Sequence, residues 1–176
     1  KNNKRIIEGE EDINRIKKIL SDCIYGVDIN EDALSITATS LQIELSSHIR
    51  PKEIWEKLTF DNLEEQGNLT NQGFFKWYKL TPLKFDVIAG NPPFNISGEE
   101  QLENIKSGKD DEYSNEKYKD YQGKMQSFPN KNPALIFLYR CLNNLLKEHE
   151  GFLFLIMPSS SFLYTPTSSK YRNSLV

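Results

Sequence analysis

The sequence predicts an α/β domain, a mainly parallel sheet with helices on both faces, and three observations carry that prediction. Short runs rich in β-branched and aromatic residues, "CIYGVDI", "FDVIAG" and "FLFLIM", alternate with segments whose apolar residues recur at helical spacing. The second and third runs are apolar without alternation, the pattern of strands covered on both sides. The first ends in an acid and leads straight into a helix, which is the basic strand-to-helix unit of such folds.

Taken in order, Ile13, Ile16 and Leu20 predict a first helix, followed by the strand "CIYGVDI". Asn30 then caps a second helix, with Glu31 and Asp32 at its positive dipole end and Leu34, Ala38, Leu41 and Leu45 as its buried stripe. A less clear segment with a polar turn at Gly67 and Asn68 precedes "FDVIAG". Leu135, Leu138, Leu142 and Leu145 predict another helix, and "FLFLIM" a strand stopped by Pro158. The three strands are expected in one parallel sheet, with Asp28 and Asn91 at the same edge. The chain does not begin with methionine and closes on "SSKYRNSLV", where Tyr171, Leu175 and Val176 read as the opening of a helix. It is expected to be a piece of a longer protein, truncated at both ends.

The bulk properties narrow the class. At 176 residues, 38% hydrophobic and 27% charged, the chain is large enough to bury a core, and its longest apolar run, Phe152 to Met157, is too short to cross a bilayer. A charged start and two cysteines, Cys23 and Cys141, set in apolar segments predict a soluble protein of the reducing cytoplasm. The net charge of -3 argues against a self-sufficient nucleic-acid binder. Residues 95–132 are polar and nearly free of aliphatic side chains, with 8 acids against 6 lysines. They read as a surface insertion or loop, not a phosphate-binding arm, with Tyr113, Tyr118 and Tyr121 spaced for stacking or packing. His48 and His149 lack partners at ligand spacing, so no metal site is expected. Lys76, Lys79 and Lys84, around Trp77 and Tyr78, read either as a solvated basic edge or as phosphate contacts.

The most informative stretch is "FDVIAGNPPFN". In a parallel α/β sheet ligands gather beyond the carboxyl ends of the strands, and Asn91 to Phe94 stand at such an end. An amino group on an aromatic ring is a poor nucleophile because its lone pair is delocalised. Facing it, the Asn91 side-chain carbonyl accepts one N–H and the Pro92 backbone carbonyl the other, drawing the nitrogen toward tetrahedral geometry. Pro92 and Pro93 fix φ and aim that carbonyl. Phe94 offers a flat face on which a base could stack once it has left its duplex. As a rigid strand-terminating turn, the same residues would need no ligand at all. Asp28, at the end of "GVD", is either a helix-leading acid or a ligand-binding carboxylate.

These residues carry a resemblance. "NPPF" after an apolar strand resembles the Asn-Pro-Pro-Tyr/Phe motif of S-adenosylmethionine-dependent N6-adenine DNA methyltransferases. "IYGVDINEDALSITATSLQIEL" looks like that family's second motif, "DNLEEQGNL" resembles a segment of the subgroup found in type IIG restriction and modification enzymes, and "LYRCLNNLLKEHEGFLFLIMPSSSFL" is similar to the helix and strand after the catalytic loop. The resemblance runs from about Cys23 to Val176, with the insertion unmatched. It implies a Rossmann-like methyltransferase fold, S-adenosylmethionine as cofactor, a flipped adenine of double-stranded DNA as substrate, and a role in a restriction-modification system. It implies catalysis at Asn91, Pro92, Pro93 and Phe94, and cofactor binding by Asp28 (ribose hydroxyls), Ile29, Asn68 and Leu69 (adenine), and Asn91. The family's glycine-rich first motif has no counterpart before "GVD", where Gly9 stands alone, and no target-recognition domain is visible. Residues 1–176 are therefore expected to be a partial catalytic domain, inactive by itself. Two other readings remain: a methyltransferase for ribosomal guanine or a protein glutamine, which use the same motif, and a non-catalytic remnant that contacts DNA or partner subunits.

Overall fold

The chain divides into two compact units, Lys1–Phe74 and Phe75–Val176. This computed structural model describes residues 10–49, 52, 62, 63, 65, 67–93, 115–164 and 166–175.

In the first unit, helix α1 (Glu10–Cys23) opens on three acids, Glu10, Glu11 and Asp12, which complement its dipole, and buries Ile13 and Leu20. Strand β1 (Gly26–Asp28) leads into helix α2 (Glu31–Ser46). Asn30 is the expected cap: its side-chain oxygen accepts from the backbone N–H groups of Asp32 at 2.9 Å and Ala33 at 3.3 Å. The crossover returns to strand β2 (Leu69–Asn71), parallel to β1 with Gly26 opposite Leu69 and Asp28 opposite Asn71. Leu20, Leu34, Leu63 and Leu69 form the core, with Ile24, Ala38, Leu41 and Leu45 against it, so the predicted stripe of α2 is the one that packs. At about 2 kcal/mol per buried leucine, this cluster outweighs a surface contact such as that of His48 with Glu44 at 3.3 Å. Gly26 belongs to the same packing: a Cβ there would lie 2.9 Å from Leu69 Cδ2.

In the second unit, helix α3 (Phe74–Leu80), whose first residue lies at the boundary, precedes strand β3 (Val87–Gly90). A hairpin of β4 (Lys117–Lys119) and β5 (Met125–Ser127) comes next, then helix α4 (Pro133–Arg140), which continues through a wider turn over Cys141–Leu145. Strand β6 (Phe152–Leu155) and a short helix α5 (Ser169–Arg172) complete it. Pro133 stands at the start of α4, where its missing N–H costs nothing, and Asn132 caps the helix by accepting from the N–H of Ala134 at 2.9 Å. Strands β3 and β6 run parallel, Val87 opposite Phe152 through Gly90 opposite Leu155. The core combines Leu135, Ile136, Cys141 and Leu145 with four aromatic rings, Tyr118, Phe128, Tyr139 and Tyr171, whose centroids lie 5.2 to 6.5 Å apart. The hydroxyl of Tyr171 donates to the Leu135 carbonyl at 2.6 Å, so this buried polar atom is satisfied.

Three features differ from the sequence reading. First, two of the three expected strands pair directly, β3 with β6, whereas β1 pairs with β2, and the described ladders are separate two-stranded pairs. Strand β2 has only three residues, too few to show a period. Second, among the described residues the β3–β6 pair is more enclosed on one face than on the other: Val87, Phe152 and Phe154 are 57%, 63% and 61% exposed, while Ile88, Leu153 and Leu155 are more enclosed. Third, the stretch expected to be a polar loop contains the β4–β5 hairpin. Its inward groups are Tyr118 and Phe128, so counting aliphatic residues missed its packing. Residues 95–114 lie outside the described ones. Among the described residues no helix is long and apolar enough to cross a membrane.

Candidate active site

In the first unit the carboxyl ends of β1 and β2 form one edge. Asp28 is exposed there, and its Oδ1 accepts from the backbone N–H of Asn30 at 2.8 Å, which fixes the carboxylate at the entrance to α2. Its Oδ2 has no hydrogen-bond partner among the described residues. The Asp28 backbone carbonyl accepts from the N–H of Gln72 at 3.0 Å, closing the ladder. Ile29, next along, is 80% exposed. The register also brings Asn71 beside Asp28, a polar residue at a strand end that the sequence reading did not single out, because a three-residue strand hides where its end lies.

Asn68 and Leu69 are placed differently. Leu69 is core. Asn68 is buried, and its amide donates to the carbonyls of Ser21 at 2.6 Å and Ile24 at 2.9 Å. Its backbone carbonyl accepts from Gly26 N–H at 2.8 Å, so Asn68 ties the end of α1 and the start of β1 to the start of β2. Asn68→Asp is therefore expected to destabilise this unit more than Asn68→Ala. The alanine loses two hydrogen bonds, about 2 kcal/mol, whereas the aspartate also turns an acceptor toward two carbonyls. Urea titrations of both variants measure the order; equal stability of aspartate and wild type would refute it.

In the second unit β3 ends where the Gly90 carbonyl accepts from Ile156 N–H at 3.1 Å. The next three residues alternate in exposure: Asn91 is exposed, Pro92 fully buried, and Pro93 exposed. Pro92 thus anchors the turn in the protein while Asn91 stands outside it, and the Asn91 amide has no hydrogen-bond partner among the described residues. Phe94 lies outside the described residues. Beside this turn the parallel neighbour β6 leaves its last rung through Ile156, Met157 and Pro158.

Other candidates take structural places. Lys79 binds Glu116 at 2.7 Å and Lys84 donates to the Asn144 carbonyl at 2.8 Å, so two of the three lysines near Trp77 are held within the protein. Trp77 stacks on Phe85 with centroids 6.2 Å apart. Cys141 is core, as expected, and burial pushes its thiol up to about 12, which makes it a poor nucleophile at neutral pH. Among the described residues no group of His, Cys, Asp and Glu is arranged to hold a metal ion.

A cluster the sequence reading missed centres on Glu116. Its carboxylate, nearly enclosed, accepts from the Tyr78 hydroxyl at 2.9 Å, from Arg140 Nε at 2.9 Å and from Lys79 Nζ at 2.7 Å. Arg140 also donates to the Lys117 carbonyl at 2.9 Å, and the Lys119 N–H donates to the Tyr139 hydroxyl at 3.0 Å. Burial opposes ionisation of Glu116, but the hydrogen bonds from Lys79, Tyr78 and Arg140 and the charge of Arg140 outweigh it and hold the carboxyl below its ordinary value. The cluster bolts the hairpin onto α3 and α4.

No curated protein and no solved structure matches the chain. An exposed asparagine on a proline-anchored turn at the end of one parallel pair, and an exposed carboxylate at the end of another, are joined by a match over most of the sequence. The family model described as Eco57I restriction-modification methylase covers residues 22–176, and the chain belongs to that family.

Proposed function

We propose that this chain carries the methyl-transfer half-sites of an N6-adenine DNA methyltransferase in a restriction-modification system. Membership of the family implies DNA methylation in such a system, and the family generally uses S-adenosylmethionine. Transfer to a planar amino group rests on one observation, the exposed Asn91 amide beside the buried Pro92 at the end of β3, and the choice of adenine over guanine or glutamine rests on the resemblance of "DNLEEQGNL" to the type IIG subgroup and on the long insertion.

The chemistry follows from these residues. Asn91 Oδ1 and the Pro92 carbonyl each accept an N–H of the exocyclic amino group, which localises its lone pair. Because Pro92 is buried, the acceptors are positioned before the substrate arrives, and little order has to be created during reaction. Phe94 supplies the stacking face for the extruded base. The cofactor, when bound, supplies an electrophilic methyl group. The first unit fits its ribose end: Asp28 presents an oxygen for the hydroxyls, Ile29 an exposed apolar side chain for the adenine, and Asn71 a neighbouring polar group. Asn68 and Leu69 serve this site indirectly, by holding β1 and β2 in place. The exposed face of Val87, Phe152 and Phe154 supports the view that a further segment covers this pair in a complete catalytic domain.

The decisive experiment identifies the product. A protein that joins this chain to a glycine-rich first-motif loop is incubated with S-adenosylmethionine and mixed-sequence duplex DNA, and the DNA is digested to nucleosides. N6-methyladenine supports the proposal; no methyladenine, with methyl transferred instead to ribosomal RNA guanine or a glutamine amide in parallel reactions supplied with those substrates, overturns it. A second reading, a non-catalytic remnant that contacts DNA or subunits, is favoured by one observation: within residues 1–25 of this sequence Gly9 is the single glycine. The 176-residue chain alone is accordingly expected to bind S-adenosylmethionine weakly or not at all and to methylate no DNA. Calorimetry with the cofactor and a methylation assay check this, and micromolar binding with turnover would refute it.

A further inference from the structure

We infer that the outer face of the β4–β5 hairpin is a docking surface for the phosphate backbone of duplex DNA. The inference rests on the reading of DNA as substrate and names a contact surface apart from the Asn91 turn. Residues 115–131 hold two acids, Glu116 and Asp120, and four lysines, Lys117, Lys119, Lys124 and Lys131. Charge counted along the whole insertion is close to neutral, but the hairpin sorts it by face. Glu116 is turned inward and neutralised by Lys79 and Arg140. Asp120 is consumed by the turn, where its carboxylate accepts from the N–H groups of Gln122 at 3.0 Å and Lys124 at 2.9 Å and from the Gln126 amide at 3.0 Å. Those bonds, the Lys124 backbone one first, hold it below the ordinary carboxylate range, so it stays an acceptor for the turn.

What remains outside is basic. Along β4 the alternation puts Tyr118 into the core and leaves Lys117 and Lys119 exposed on the same face. Their cross-strand partners are Ser127 and Met125, both exposed and uncharged. Neither lysine has an ion-pair partner among the described residues. At the tip, Tyr121 is 67% exposed and Lys124 is also outside.

The surface is rigid as well as charged. Tyr118 packs edge-on against Tyr171 with centroids 5.3 Å apart, and Arg140 and Tyr139 hold the β4 backbone. Lysines on such a frame meet phosphates at fixed spacing, whereas lysines on a mobile loop would first have to be ordered. A two-stranded ribbon also has the width that the major groove admits. The complementary charge is that of the phosphates, and among the described residues the face offers no free acid to a basic peptide partner.

The test is the salt dependence of DNA binding. Fluorescence anisotropy with a labelled mixed-sequence duplex is measured on the 176-residue chain and on Lys117→Gln/Lys119→Gln between 50 and 200 mM salt. Each phosphate contact contributes about 0.9 to the slope of log K against log salt. Over that interval the wild type is therefore expected to lose about tenfold more affinity than the double variant. Lys117→Arg/Lys119→Arg should restore the slope, which a change in folding would not do. Equal slopes for wild type and the glutamine variant, or a wild type that binds no duplex, overturn the inference. Binding through the hairpin without any methylation by a completed domain would sink the methyltransferase reading and leave this surface standing; methylation with unchanged slopes would do the reverse.

Discussion

Replacing Asn91 with alanine in a protein that joins this chain to a first-motif loop is expected to lower adenine methylation by about 10²- to 10³-fold, the usual cost of one preorganised polar group at a reacting centre. Cofactor affinity should change far less, because the proposed role of Asn91 is toward the substrate amino group, whereas the ribose hydroxyls are assigned in that proposal to Asp28. Stability should also be nearly unchanged, since the Asn91 side chain is exposed. This combination separates a substrate-activating role from a rigid turn. In the turn reading Pro92, fully buried, would matter and Asn91 would not. Turnover, cofactor binding and thermal unfolding measured on one preparation decide it, and near-normal turnover would refute the role. Phe94→Tyr should be mild because the stacking face is kept, while Phe94→Ala should raise the KM for DNA.

Much of this was legible in the sequence because the signals were local. Asn30 announced a helix start by its position before two acids, and it caps α2 through its own side chain. The stripe of Leu34, Ala38, Leu41 and Leu45 needed only a period, and it packs on the core as that period requires. Asn91, Pro92 and Pro93 announced a constrained strand end by composition alone, and the exposed, buried, exposed order gives the constraint a direction. What was not legible depended on partners far apart in the chain. Asn68 resembles a turn residue until its amide is seen between the carbonyls of Ser21 and Ile24. Strand β2 is defined by β1 rather than by its own three residues. The hairpin escaped because its burial is aromatic and its charges sort by face, and neither property survives averaging over residues 95–132. Tyr171 shows the same limit: its place at the opening of a helix was legible, and α5 holds it there, but the Leu135 carbonyl that its buried hydroxyl meets is 36 residues away in the chain.

Glu116 should be the acid that most strongly governs the second unit. Its removal leaves the Arg140 guanidinium, itself largely enclosed, without its carboxylate, and takes the same acceptor from the Tyr78 hydroxyl and Lys79. Glu116→Ala is therefore expected to destabilise the unit by about 3 kcal/mol, the range for losing one partner of an enclosed, hydrogen-bonded pair. The pH dependence follows from the sign of the shift. The folded-state carboxyl titrates below its ordinary value of 4.5, so near that pH the unfolded chain binds more protons than the folded one. Stability from Glu116 is thus fully present above about pH 4.5 and is lost as pH falls through the lower, folded-state value. Wild type should lose stability in that acid window more steeply than Glu116→Ala, which has no such carboxyl to protonate. Urea unfolding followed by near-ultraviolet circular dichroism reads the packing of Tyr118, Tyr139 and Tyr171, which the hairpin closes. Parallel pH profiles for the two proteins would show that the cluster does not hold the hairpin. Convergence of the profiles at low pH, with the variant already less stable at neutral pH, is the expected result. It would mean that the lysines on the outer face of the hairpin depend for their position on an acid hidden beneath it.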